Sequence, residues 1–173
     1  MATKEKAGKA QDPAGVQRAV VKQLTALLEG GQAHVSFQDA VKGFPAKLRG
    51  EIPEKLPYSA WQLLEHLRLA QRDILEFSTN TKGTYKHKKW PEAYWPKKAA
   101  PPNAKAWDAS IKAIERDQKS FEKLLTAKNA DLYTPFPWGD GQNLLRQTLL
   151  IADHNAYHLG ELLVLRRLLG IWK

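Results

Sequence analysis

The sequence predicts an all-α fold, an antiparallel four-helix bundle with long crossover loops. Three observations predict it. Four segments carry apolar residues at helical spacing, no pair of segments alternates as paired strands do, and two connections are too long for tight turns. With 173 residues the chain suits a single domain with a substantial core.

Residues 1–12, "MATKEKAGKAQD", are polar and aperiodic and are expected to form a disordered tail before one domain over 13–173. The first helix starts at Pro13, a residue suited to a first turn. Val16, Val20, Leu24 and Leu27 supply its stripe, and Gly30-Gly31 ends it. A long connection follows, broken by Gly43, Pro45, Gly50, Pro53 and Pro57, with room for a short helix in "VSFQDAVKGF". Ser59 caps the second helix, which runs to about Ser78 on Leu63, Leu67, Ile74 and Phe77, with Trp61 and Leu64 beside them. Residues 79–102 read as a crossover loop pinned by Trp90, Tyr94 and Trp95. Asn103 is expected to cap the third helix, whose stripe is Trp107, Ile111, Ile114, Gln118, Phe121 and Leu125. After the irregular "DLYTPFPWGDG", Asp140 is expected to cap a fourth helix from about Gly141 to Leu169, roughly 40 Å long.

The composition excludes several chemistries. There is no cysteine, so no disulfide, thiolate ligand or cysteine nucleophile is available. The N-terminus lacks an apolar signal core and no long charge-free apolar run occurs, so a cytoplasmic protein without a membrane span is expected. The net charge of +9 raises the question of a nucleic-acid partner. The excess is divided between the tail and residues 82–98 and forms no basic helix with base-reading side chains, so solvated lysines explain it better.

The chemistry lies in the histidines. His34 and His87 fall in loops and read as surface residues. His154 and His158, in "DHNAYHLGE", are four residues apart, so their rings leave one helix face about one turn apart. That spacing lets two imidazoles reach one cation at about 2 Å each. Both are expected to point into the bundle, where His66 of the second helix can join them. The alternative is that these are core histidines hydrogen-bonded to neighbours such as Asp73, Asn155 or Gln118. A zinc protease helix needs H-E-x-x-H, and Asn155 stands where that glutamate would be, so protease logic fails. Glu161 is placed either to orient an imidazole N–H or to sit as a charged residue at the bundle end. Asn155 and Asp73 are weaker candidates for such an orienting role.

Three segments together resemble the DinB-like superfamily, the group of DNA-damage-inducible DinB proteins and YfiT-like metal-dependent hydrolases. They are "PYSAWQLLEHLRLAQRDILEF", the aromatic connection after it, and "PFPWGDGQNLLRQTLLIADHNAYHLGELLVLRRLLG". The resemblance implies up-down-down-up connectivity and a divalent metal, zinc or nickel, on His66, His154 and His158. It also implies a homodimer and, in some relatives, transfer chemistry on thiols such as bacillithiol or mycothiol.

The expected function is therefore a metal-dependent thiol S-transferase or hydrolase, with a small-molecule thiol or electrophile as substrate. The metal would acidify a bound thiol or water. The alternative is a non-catalytic, stress-related metal-binding scaffold. Residues 82–98 either attract an anionic co-substrate or form a solvated loop clamped by its aromatics.

Overall fold

The computed structural model describes residues 12–172. All regular structure in them is helical. Five α-helices follow in order: α1 (Pro13–Glu29), α2 (Phe37–Val41), α3 (Ala60–Ser78), α4 (Ala106–Leu125) and α5 (Leu144–Leu168). Single 3₁₀ turns lie at Ala46–Leu48 and Glu92–Tyr94. The expected tail falls outside the described residues except for Asp12, whose carboxylate accepts from Ala14 N–H and caps α1. No helix among the described residues is long and apolar enough to cross a membrane.

The helix ends follow local chemistry. Ser59 and Gln62 form a reciprocal capping box at α3, satisfying two otherwise orphaned donors. Two expected caps are corrected. Asp140 does not cap the last helix. Gly141 sits at φ +90°, outside helical space, and Asn143 accepts from Arg146 N–H instead. Asn103 does not cap α4 either. Its Oδ1 accepts from Lys105 N–H two residues on, an Asx turn, and the helix starts at Ala106.

Side-chain pairs give the helix directions. Glu65 meets Ser110, Gln71 donates to the Ile114 carbonyl and Arg72 meets Asp117, so numbers rise together and α3 and α4 run the same way. Two parallel neighbours cannot share a tight turn, which is why the connection between them is long. Against α5 the order reverses: His66 meets His158, and Gln71 meets Asn155.

Two apolar clusters form the core. One gathers Leu63, Leu64, Leu67, Trp107, Leu162 and Leu165, and the other Leu24, Phe121, Leu125, Leu132 and Ile151. Each such side chain contributes about 1.5–3 kcal/mol on burial. Between α1, α3, α4 and α5 lies a cavity of about 70 Å³ whose lining includes Leu67, Ile114, Gln118, Ile151, Asn155 and Leu159. Gln118 both lines this cavity and pairs with Glu122 at 2.9 Å.

The 79–105 connection is fastened to α3 through one carboxylate. Asp73 Oδ2 accepts from the Tyr94 hydroxyl at 2.7 Å and the Tyr85 hydroxyl at 3.0 Å, and Lys88 Nζ lies 3.2 Å from Oδ1. Burial and then Asp73 push both tyrosine pKa values up, Tyr85 to about 12. Trp90 is 64 % exposed, so Tyr94 and Trp95 pin the loop and Trp90 does not.

Candidate metal centre

Three imidazoles converge in the seam between α3 and α5. His66 comes from α3, and His154 and His158 come from successive turns of α5. His66 Nε2 lies 3.0 Å from His158 Nε2 and 3.0 Å from His154 Nε2. His66 is 1 % exposed and His158 8 %. The three offer one ligand atom each within 4.8 Å of one another.

The site lies to one side of where the sequence points. The contacts around the triad come from α3, α5 and the 90–95 segment, and the residues that follow each histidine face the four-helix centre. Leu67, Asn155 and Leu159 line the central cavity. One residue turns a helix by about 100°, enough to send each imidazole into the seam and its successor into the centre. Trp95 roofs the seam, stacked on His66 with centroids 4.0 Å apart and planes 9° apart. Tyr157, 65 % exposed, stands edge-on to His158 at 4.9 Å.

The partners of the ring nitrogens decide what the triad can hold. His66 Nδ1 faces the Tyr94 carbonyl at 3.1 Å, and a carbonyl only accepts, so Nδ1 carries the proton. His158 Nδ1 faces Glu161 Oε2 at 2.6 Å, and a carboxylate likewise assigns the proton to Nδ1. Both Nε2 atoms are then lone pairs, aimed at each other across 3.0 Å. Two acceptors at that distance repel unless a cation lies between them. A divalent ion bonded to each nitrogen at about 2.05 Å would see a 3.0 Å separation at an angle of roughly 94°. That is close to the cis angle of a facial ligand set. The residues present fit a metal-binding site.

The electrostatics agree. Burial pushes the His154 pKa down to about 4, helped by His158 and His66, and burial likewise lowers that of His66. Neutral imidazoles are the ligand form. His154 Nδ1 is buried with no hydrogen-bond partner, so this ring alone is not oriented from behind.

The other singled-out residues separate. Glu161 touches the triad through His158, and burial and then Glu161 push the Tyr58 pKa up to about 12. Asn155 turns away and donates to Gln71 Oε1 at 2.8 Å. Asp73 contacts no imidazole. It holds the Tyr94 hydroxyl while the Tyr94 carbonyl holds His66, so it acts at one remove. His34 and His87 lie apart from the triad. Sequence reasoning missed the Tyr94 carbonyl, the Tyr58 hydroxyl and the Trp95 stack. A backbone oxygen leaves no mark in a sequence, and "YS" before a helix gave only the cap.

A family model described as the DinB superfamily matches residues 18–162. No curated protein and no solved structure matches the chain.

Proposed function

The chain belongs to the DinB superfamily, and from that premise we propose a divalent-metal-dependent enzyme, a thiol S-transferase or a hydrolase, with zinc or nickel held by His66, His154 and His158. The observation that carries the proposal is the pair of opposed Nε2 lone pairs, fixed by acceptors on both Nδ1 atoms. The cation would supply Lewis acidity, acidifying a thiol or a water at neutral pH. The chain supplies the rest. Glu161 and the Tyr94 carbonyl orient two rings and raise their basicity. Trp95 covers the His66 face and excludes water there. Three neutral ligands leave the full double charge available to a substrate. A low-molecular-weight thiol of the bacillithiol or mycothiol type, or its electrophilic partner, is the substrate class.

A second reading keeps the metal and drops the catalysis. The Trp95 stack favours it, because a roofed site resembles a closed structural one.

The experiment is metal content. Tag-free protein is analysed by plasma mass spectrometry beside His66→Ala and His158→Ala. One equivalent in the wild type and little in either variant is expected. Equally low metal in all three sinks the site. Loaded protein is then assayed for thiol addition to electrophiles, and a loaded but inert protein selects the structural reading.

A further inference from the structure

The seam that holds the triad continues past it. Asp73 follows His66 by seven residues on α3, and Gln147 precedes His154 by seven on α5. Seven residues turn a helix through roughly 700°, so each pair shares a face, about 10 Å apart along the axis. The two helices run in opposite directions, so the step forward on α3 and the step back on α5 lead the same way. They lead to a cleft of about 180 Å³ whose lining includes Asp73, Tyr85, Arg146, Gln147 and Leu150. The 79–105 connection spans both places, with Tyr85 at the cleft and Trp90, Tyr94 and Trp95 around His66. The same three segments therefore build the cleft and the triad.

We infer that this cleft is a carboxylate-binding subsite for an elongated ligand whose other end reaches the triad. That other end rests on the metal reading given above; the subsite rests on three observations at the cleft itself. Arg146 is exposed and pairs with no carboxylate among the described residues. Gln147 is 4 % exposed, its Oε1 accepts from Arg146 Nη1 at 2.8 Å, and its NH2 group meets no acceptor among the described residues. A buried amide donor left without an acceptor is costly, and an oxygen ligand in the cleft removes that cost. Asp73, the acid of the lining, is already matched: it accepts from the Tyr85 and Tyr94 hydroxyls and lies 3.2 Å from Lys88 Nζ. The charge left unmatched in the lining is therefore the Arg146 guanidinium. A guanidinium held against an amide, with N–H groups of both to spare, suits the two oxygens of a carboxylate. Leu150 lines the cleft one turn from His154 and gives apolar contact to the stretch of ligand joining the two ends. The ligand class is thus a metal-binding head, such as a thiol, with a carboxylate roughly 10 Å away.

The test is binding, not turnover, and its first arm needs no metal. Octanoate added to metal-free protein should shift the nuclear magnetic resonance signals of the Gln147 side-chain amide and the Arg146 Nε–H. Arg146→Gln should weaken that binding about tenfold or more. Arg146 is exposed, so the variant is expected to fold, and its melting curve checks this. In zinc-loaded protein ω-mercaptooctanoate, whose thiol and carboxylate lie about as far apart as triad and cleft, should bind at least tenfold tighter than octanoate. It should outbind ω-mercaptooctanol by a similar factor. Mercaptopropionate and mercaptopropanol, too short to span the seam, should bind within about threefold of each other. Octanoate that leaves the two side chains unmoved, binding that Arg146→Gln does not weaken, or a long acid that binds no better than its alcohol would each overturn the inference. Octanoate bound through Arg146 in a protein that takes up no zinc sinks the metal reading and supports the carboxylate site. Zinc and thiol uptake without any dependence on Arg146 does the reverse.

Discussion

Replacing Glu161 tests the ligand geometry more sharply than removing a ligand, because the three imidazoles remain. Glu161 Oε2 accepts from His158 Nδ1–H at 2.6 Å, with side-chain exposures of 10 % for His158 and 24 % for Glu161. A short, charge-assisted bond in a mostly desolvated place loses about 1.5–3 kcal/mol when its acceptor is removed. At about 1.4 kcal/mol per decade that is roughly 10- to 140-fold in metal affinity. Glu161→Leu should reach the upper part of this range, since Nδ1 is freed and the ring can present its N–H to the site. Glu161→Gln keeps an oxygen acceptor and loses only the charge, so its loss should stay near tenfold. Asn155→Leu is the comparison, because the Asn155 amide donates to Gln71; its affinity should stay within about threefold of wild type. Dissociation constants from competition with a chromophoric chelator provide the readout. The reasoning is refuted if Glu161→Leu binds as tightly as wild type, or if Asn155→Leu weakens binding as much as Glu161→Leu does.

Three further outcomes follow from the packing. Glu65 is buried, which raises its pKa, but Arg68 and Ser110 outweigh burial and hold it below the usual carboxylate value. Its stabilisation is therefore present above the unfolded pKa and lost as pH falls through the folded one. Thermal melts of wild type should drop across that acid range more than those of Glu65→Gln, and parallel curves would refute this. Gly50→Ala would set a Cβ 2.6 Å from Ala100 Cβ and 2.8 Å from its Cα, forcing backbone apart at a cost of about 1–3 kcal/mol, read as a lower denaturant midpoint. Phe121→Ala, at a fully buried position, should cost about 3–5 kcal/mol in the same assay with metal content unchanged.

The helices were legible because their apolar stripes are long and their punctuation is strong. Pro13 and Gly30 bracket α1, and Ser59 with Gln62 announces α3. The two misplaced caps share one cause. Asn103, Asp140 and Asn143 are all competent Asx residues, and only the backbone around them decides which side chain meets a helical N–H. The three histidines were legible as a set, since i, i+4 spacing fixes two and the α3 stripe places the third beside them. Which side of α5 they face was not. Apolar residues occur all round α5, some buried and some exposed, so its pattern names no single inward face.

The separation of His66 from its two companions bears on how the chain reaches its final state. His154 and His158 share one helix, so they come together as soon as that helix winds. His66 lies 92 residues from His158 along the chain, and closing a loop of that length costs about 4 kcal/mol in configurational entropy beyond a constant. A nascent chain still short of α5 has one of the three imidazoles, and an undocked α5 has only a two-pronged clasp. The complete set exists only once α3 and α5 have docked, so a cation that needs all three registers the finished tertiary structure and is captured after folding, not during synthesis.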